Sequence, residues 1–148
     1  MTPSEIRKEL LEQHASLRSK IDATRASAER WQRGEPAREE LRSNLALLAE
    51  GVRAHNRREE ELLREVIPGA DAWGQARAEV MEESHVQEHK AIYEALIDAG
   101  AASEAAAGVP PVLKLLDAML DHIQHEEASF LGADVLRDDA VTPDFFGG

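Results

Sequence analysis

Three pairs of potential metal ligands recur in the sequence at a spacing of four residues. In an α-helix, residues i and i+4 lie on one face with Cβ atoms about 5–6 Å apart, so each pair can direct two side chains at one small volume. Without thiolates, imidazole nitrogen and carboxylate oxygen suit iron, manganese or zinc. The pairs are His55 with Glu59, His85 with His89, and His122 with Glu126.

Each of these pieces alone has an ordinary structural explanation. A single His-x-x-x-Glu pair on a charged helix is more often a surface ion pair than a metal site. A single histidine such as His14 on an apolar stripe is more often a satisfied core residue. Glu60, Glu61 and Glu127 are predicted to lie on solvated faces, with Glu127 also a possible substitute for Glu126. His125 is predicted to lie on the surface or to support the ligands from outside.

The candidate ligands interrupt apolar stripes of predicted helices. Chain breakers at residues 33–36, 67–71 and 99–111 divide the chain into four segments, and in each segment apolar residues recur at steps of three and four. His14, for example, stands in the apolar row of the first segment. The sequence therefore predicts that these polar side chains face the core.

The predicted helix starts are Thr2 or Ser4 with Pro3, Pro36 just inside the second helix, Asp71, and Pro110 with Pro111.

The candidate ligands also lie at matching distances from the predicted turns. In an antiparallel bundle, two sites at one height are equidistant from the turn between their helices. The positions of His14 and of the pair in the second helix average to about residue 35, and those of the third and fourth pairs to about residue 105, both in predicted loops. The sequence predicts an all-α, antiparallel up-down-up-down four-helix bundle over residues 1–132, followed by a tail at 133–148.

Composition limits the classes of partner. The formal net charge of -12 gives a broadly acidic surface that repels phosphate backbones and anionic lipid, so neither nucleic acid nor membrane is expected as a partner. The absence of cysteine excludes disulfides, thiolate sites and iron–sulfur clusters. With no signal peptide or membrane span in the sequence, a cytoplasmic protein is expected, as a monomer or weak homodimer.

The free-energy cost of burying two carboxylates must be offset by another interaction. Without a metal, two glutamates in an apolar core carry a desolvation penalty of several kcal/mol each or take up protons. Five histidines and two glutamates exceed the needs of one ion, and carboxylates that bridge two cations offset the repulsion between them. The pattern therefore favours a dinuclear site over a metal-free structural bundle.

The ordered set of motifs resembles the hemerythrin-like, or HHE cation-binding, domain family. It runs from His14 through "HNRRE" and "HVQEH" to "HIQHE" and covers about residues 5–132. The resemblance implies a non-haem di-iron centre inside a four-helix bundle, with an oxo or hydroxo bridge from solvent. It also implies that His85, His89 and His122 hold one iron, that His14 and His55 hold the other, and that Glu59 and Glu126 bridge them.

The last motif departs from the oxygen-carrying hemerythrins, which usually place an aspartate five residues after the last histidine. Here Glu126 follows His122 by four residues and Glu127 stands at the five-residue position. The second bridging residue is therefore either Glu126 or Glu127. The spacing is more similar to the broad bacterial HHE group, in which oxygen or redox sensing, iron handling, and reactions with peroxide or nitric oxide are all considered.

The expected function is the binding of O2 or a related small ligand. The iron with fewer histidines has an open position, which is where a ligand would bind. The alternatives are a di-iron enzyme that decomposes peroxide or reacts with nitric oxide, and an iron storage or delivery protein. An electron donor is expected, but the sequence does not identify it. Metal is expected to be lost below about pH 6.5, where free histidine takes up a proton.

Overall fold

Helices make up most of the described chain. The structure, a computed structural model, describes residues 1–66, 81–102, 105–129 and 131–139 and the single positions 68, 76 and 79. No strand occurs in these residues, so the prediction of an all-α fold is confirmed. The helices are α1 (Pro3–Gln32), α2 (Arg38–Val66), α3 (Val86–Ala102) and α4 (Val109–Ala128), with a π-helical turn at Met81–His85 and a 3-10 turn at Ala106–Gly108.

The helices pack as a four-membered ring. Helix α1 packs against α2 and α4, and α3 packs against the same two helices. Neighbours in sequence are therefore neighbours in space, as short connections require of an up-down-up-down bundle. The predicted four-helix bundle is confirmed.

Helix α1 begins with a reciprocal cap. The hydroxyl of Thr2 accepts a hydrogen bond from the backbone N–H of Glu5 at 3.2 Å, and the Glu5 carboxylate accepts one from the backbone N–H of Thr2 at 2.7 Å. This capping box satisfies backbone donors that the helix leaves unpaired. Pro3 follows at the first helical position, where its fixed φ suits a helix. The predicted start at Thr2 and Pro3 is confirmed.

The turn between α1 and α2 depends on a glycine. Gly34 has a φ of 89°, in the left-handed region that favours glycine, and the N–H of Glu35 donates to the carbonyl of Arg30 at 3.0 Å. This hydrogen bond closes a Schellman-type helix end. Because the turn uses residues as far as Glu35, α2 begins only at Arg38. The prediction that Pro36 lies just inside α2 is therefore wrong.

Helix α4 begins close to its predicted position. Gly108 is the N-cap residue and Pro110 lies in the first turn, where the missing proline N–H costs no hydrogen bond. Helix α3 continues through Gly100 to Ala102 before the connection. The start predicted at Asp71 lies outside the described residues.

A polar layer divides the apolar core into two clusters. On α1, Leu17 and Ile21 belong to the larger cluster, Ile6 and Leu10 belong to the smaller one, and His14 lies between them. All four helices contribute to the larger cluster. The polar side chains of the layer are therefore enclosed by apolar residues on both sides, and they must be satisfied by one another or by a ligand.

The segment after α4 covers the smaller cluster. Leu131, Val135 and Leu136 are 0%, 3% and 2% exposed. Beyond them, the Asp138 carboxylate accepts hydrogen bonds from the backbone N–H of Ser4 at 2.8 Å and from its hydroxyl at 2.5 Å. These contacts close the end of the bundle that lies beyond the polar layer. The boundary between a bundle at residues 1–132 and a tail at 133–148 stays a prediction.

The helices are amphipathic rather than continuously apolar. Helix α2, for example, buries Leu41, Leu45 and Leu48 but exposes Glu40 and Glu50. Within the described residues, none of the helices combines the length and the apolar character needed to span a bilayer.

Candidate metal centre

The polar layer consists of the seven side chains that the sequence singled out. All are buried, with exposed fractions between 0% and 9%. The sixth histidine, His125, is exposed, as the sequence predicts. The seven side chains are His14 from α1, His55 and Glu59 from α2, His85 from the π-helical turn, His89 from α3, and His122 and Glu126 from α4.

One group of donor atoms lies between α1 and α2. The Nε2 atoms of His14 and His55 are 3.1 Å apart. Glu59 Oε2 lies 3.2 Å from the first and 3.0 Å from the second, and Glu126 Oε1 lies 3.9 Å from His14 Nε2. These four side chains each place one donor atom within 4.8 Å of the others. The group has the size and composition of a site for one cation.

A second group of donor atoms lies between α3 and α4. Glu126 Oε2 lies 3.0 Å from His85 Nε2 and 3.6 Å from His89 Nε2. Glu126 Oε1 lies 2.8 Å from His122 Nε2. These four donors also lie within 4.8 Å of one another. The partition of histidines into sets of two and three is the one that the family resemblance implies.

The carboxylate of Glu59 spans both groups. Its Oε2 atom faces His14 and His55, whereas its Oε1 atom lies 2.9 Å from His85 Nε2 and 3.2 Å from His89 Nε2. One oxygen is therefore directed at each group. A carboxylate that bridges two cations needs this arrangement.

Glu126, not Glu127, is the glutamate of α4 that enters the layer. Glu126 is 1% exposed and belongs to both groups. The Glu127 carboxylate instead accepts hydrogen bonds from Nδ1 of His14 at 2.9 Å and from the guanidinium of Arg18 at 2.7 and 2.9 Å. Successive residues of a helix point about 100° apart, so the two carboxylates cannot both face the centre. The geometry favours Glu126 as the second bridging residue.

The donor atoms are spaced like the ligands of shared cations. Two ligands at right angles on bonds of about 2.1 Å are about 3.0 Å apart, and the closest N–O contacts at Glu59 are 2.9 to 3.2 Å. Several close contacts in the layer lack hydrogen-bond geometry, so buried atoms stay unpaired among the described residues. These atoms are His89 Nε2, both ring nitrogens of His122, and Glu126 Oε2. A bound cation would supply the missing partner of the unpaired atoms that face the layer, so the residues present fit a metal site.

Hydrogen bonds from outside the layer fix the orientation of three histidines. Carboxylate and side-chain amide oxygens only accept, so the Nδ1 atom of each ring donates and the Nε2 lone pair is left facing the layer. Such contacts raise the basicity of an imidazole ligand and hold the ring in place. The contacts are His14 Nδ1 to Glu127 at 2.9 Å, His55 Nδ1 to Gln13 at 2.7 Å, and His89 Nδ1 to Glu60 at 2.9 Å.

Glu60 and Glu127 correct a prediction, because the sequence placed both on solvated faces. Their side chains are only 20% and 24% exposed, and each accepts a hydrogen bond from a histidine of a neighbouring helix. In the "EEE" run of α2 and in the "EE" pair of α4, the first glutamate enters the layer and the second accepts a hydrogen bond from a histidine of the neighbouring helix. A second glutamate directly after the candidate ligand is the signal that could have revealed these residues. Gln13 offers no signal beyond its position next to His14.

The π-helical turn before α3 is a further feature that the sequence did not indicate. His85 is the last residue of this turn and His89 lies in the first turn of α3. The two ring centroids are 4.2 Å apart. A π turn widens the helix by one residue and often occurs at functional sites. In this protein, the π turn lies where His85 and His89 of the second group of donors come together.

The two buried carboxylates raise the pKa of histidines in the metal-free layer. Burial lowers the pKa of His85, but its close contacts with the carboxylates of Glu126 and Glu59 together outweigh burial and raise the pKa to about 9. The same balance raises the pKa of His89 to about 10. Burial also lowers the pKa of His14, but its interactions with Glu59, Glu126 and Glu127 together outweigh burial and raise the pKa. Protons therefore compete with metal well above pH 6.5, the value expected from free histidine.

The contacts within the layer in turn keep the carboxylates ionised. Burial raises the pKa of Glu59, but contacts with Glu126, and then with His14, His55 and His85, hold it well below the usual range. Burial and Glu59 raise the pKa of Glu126, but its close contacts with His122, His85 and His89 outweigh both and lower it. Without metal, the layer is therefore a set of buried ion pairs.

These shifts predict the pH dependence of the stability of the metal-free protein. The raised pKa values of His85 and His89 add stability that is complete below about pH 6.5 and is lost as the pH rises through about 9 and 10. The lowered pKa values of Glu59 and Glu126 add stability above about pH 4.5 that is lost as the pH falls. Urea unfolding of metal-free protein should therefore give a higher midpoint at about pH 5.5 than at about pH 9.5.

Metal-loaded protein is the control for this prediction. Bound cations replace the histidine protons, so the loss of stability at alkaline pH should be much smaller. A midpoint of the metal-free protein that rises between about pH 5.5 and 9.5 would contradict the ion-pair description.

A small apolar cavity lies beside the layer. Its volume is about 20 Å³, and it is bordered by His55, His89, His122 and Glu126 of the layer and by Asn56. The rest of its wall is apolar and comes from α1, α2, α3 and α4: Leu17, Val52, Ile92, Met119 and Ile123.

The fold and the layer together define a cation-binding four-helix bundle. A model of the family described as the hemerythrin HHE cation binding domain matches residues 5–133. The chain belongs to this family, and the resemblance seen in the sequence is confirmed. No curated protein matches the chain, and no solved structure matches it.

Proposed function

We propose that the seven side chains of the layer hold two iron ions and that the protein binds O2 or a similar small ligand there. Support comes from the division of the donors into two groups that share Glu126, with the carboxylate of Glu59 spanning both. His14 and His55 would hold one ion, and the other three histidines would hold the second. A bound iron pair supplies redox chemistry toward O2 that side chains alone do not provide.

The cavity beside the layer carries the small-ligand part of this proposal. A volume of about 20 Å³ exceeds the roughly 10–15 Å³ that one water molecule requires, but it is far smaller than a pocket for an organic substrate. The cavity borders His55 of the group with fewer histidines and also His89 and His122 of the other group. Its apolar wall limits the access of water to both groups. A diatomic or similarly small ligand fits this space best.

The lining of the cavity favours ligand binding over acid–base catalysis. Among the described residues, Asn56 is its only polar side chain that is not a candidate ligand. An amide neither takes up nor releases a proton near neutral pH. A reaction that needs a general acid or base would require a titratable group at this position.

Iron content and visible absorption test the proposal, with two histidines of α4 as a matched pair. Wild-type protein reconstituted with iron should bind two ions per chain and absorb in the visible range, and the absorption should change on reduction and on exposure to air. His122→Ala should lose at least one ion. His125→Ala, at an exposed position, should retain both. Protein that binds only colourless zinc, or no metal after reconstitution, would contradict the proposal.

Release of O2 from hydrogen peroxide separates binding from the enzyme alternative. If the protein is a ligand binder, steady-state O2 release by the wild type should not exceed that of free iron. A rate well above free iron that falls in His122→Ala would favour the peroxide-decomposing enzyme. Rapid loss of iron to a chelator would favour storage or delivery.

A further inference from the structure

A groove with cationic side chains runs along the outside of the bundle between α2 and α3. Arg53 and Arg57 lie one turn apart on α2, and Lys90 lies on the facing helix. All three are exposed. The groove has a volume of about 450 Å³ and is called the basic groove below. It is a local concentration of positive charge on a chain with a net charge of -12.

The carboxylates near the basic groove do not cancel this charge. Glu60 lines the groove, but its carboxylate accepts a hydrogen bond from His89 at 2.9 Å. Arg57 lies 3.9 Å from Glu61, and these side chains are 81% and 56% exposed. An ion pair this long and this exposed contributes little and leaves the cation accessible. Among the described residues, the groove is therefore lined by three cationic side chains and one carboxylate.

The inner end of the basic groove is a wall of the ligand cavity. Asn56 and His89 line both the groove and the cavity. His89 is a candidate ligand, and Asn56 is the neutral polar side chain of the cavity. The amide of Asn56 can donate a hydrogen bond toward either side. The groove is therefore separated from the cavity at the metal centre by two polar side chains, Asn56 and His89.

Two other grooves also reach the cavity wall, and their charges differ. The groove between α3 and α4 shares His122 with the cavity and carries Glu88 and Asp121. The groove between α1 and α2 carries Lys20, whose ammonium group donates to the hydroxyl of Ser16 at 2.9 Å. Neither concentrates positive charge as the basic groove does.

We propose that the basic groove guides small inorganic anions to the metal centre past Asn56. A cleft lined with charge of one sign raises the local concentration of oppositely charged ligands and their association rate. The proposal rests on the proposed function, because an anion needs an open position on a bound metal as its destination. In this proposal, Arg53, Arg57 and Lys90 determine which small ligands reach the metal centre quickly.

The salt dependence of association has opposite signs with and without this route. The net charge of -12 repels anions, so for a uniform surface added salt screens the repulsion and speeds association. If anions instead arrive through the basic groove, added salt screens the attraction and slows association. The sign of the salt dependence therefore shows whether the approaching anion experiences the repulsion of the whole acidic surface or the attraction of the basic groove.

Azide association with iron-loaded protein, followed by stopped-flow absorbance, tests the route. The wild-type rate should fall as salt is added. The triple variant Arg53→Gln, Arg57→Gln, Lys90→Gln should bind azide roughly tenfold more slowly at low ionic strength, and its rate should rise or stay constant with salt. A control with the same charge change should behave like the wild type: Lys8→Gln, Arg42→Gln, Lys114→Gln. Association of the neutral ligand O2 with reduced protein should be equal in all three proteins.

The outcomes distinguish the route from the proposed function. Equal slowing of azide in both triple variants, or a wild-type rate that rises with salt, would overturn the route alone. Failure of fully loaded wild-type protein to bind azide at all would overturn the open position and the route with it.

Asn56→Leu tests the last step of the route. Loss of the amide donor should weaken azide binding about tenfold at equilibrium and leave the sign of the salt dependence unchanged. Unchanged azide affinity would remove Asn56 from the proposal.

Discussion

Replacing Glu59 with glutamine is expected to lower the iron content from two ions per chain to one or none. Glu59 directs one carboxylate oxygen at each group of histidines. Glutamine keeps the shape but replaces one oxygen with an NH2 group, which cannot bind a cation, and removes the charge that offsets repulsion between two cations. Iron content after reconstitution and chelator competition would measure the loss.

The two following glutamates provide matched controls for this substitution. Glu60 contacts His89 from outside the layer, so Glu60→Gln should keep two irons with roughly 10–100-fold weaker affinity. Glu61 is 56% exposed, so Glu61→Gln should have no effect. Two irons bound by Glu59→Gln with wild-type affinity would show that Glu59 does not bridge.

Substitution of the same buried groups with leucine separates a metal site from a metal-free structural bundle. In a metal-free bundle, His55→Leu and Glu59→Leu would stabilise the fold, because apolar side chains would replace buried polar groups. In a metal site, both should lose metal and stability together relative to the loaded wild type.

Leu131→Ala is expected to destabilise the protein by about 2–5 kcal/mol. Leu131 is 0% exposed in the smaller apolar cluster, where it belongs with Leu10 of α1 and Leu63 of α2. Truncation leaves a cavity at the end of the bundle next to the polar layer. Urea unfolding should show the lower stability, and iron should be lost to a chelator faster because water reaches the layer more easily.

Leu47→Ala is the control for Leu131→Ala. Leu47 is 60% exposed on α2, so its truncation should change the free energy of unfolding by no more than about 0.5 kcal/mol. If Leu131→Ala had an equally small effect, the segment after α4 would not be part of the folded core. Loss of stability without faster iron loss would show that the segment stabilises the bundle but does not shield the centre.

Much of the candidate site could be predicted from the sequence, because the relevant signals are local. A spacing of four residues places His55 and Glu59 on one helical face, and the apolar residues around them identify that face as the buried one. The positions of the predicted turns then place all the pairs at about the same height along the bundle. The same reasoning led to wrong assignments for Glu60 and Glu127, because a charged residue beside an apolar stripe is usually solvated.

Only the packed bundle determined which atoms meet. The choice of Glu126 over Glu127, the split of the Glu59 oxygens between two groups, and the contact between Gln13 and His55 all depend on the rotation of neighbouring helices and on side-chain rotamers. The spacing of residues within one helix does not specify these quantities, because they are set by ridges and grooves packing between helices. Periodicity therefore determined the identity of the buried donors, and interhelical packing determined their partners.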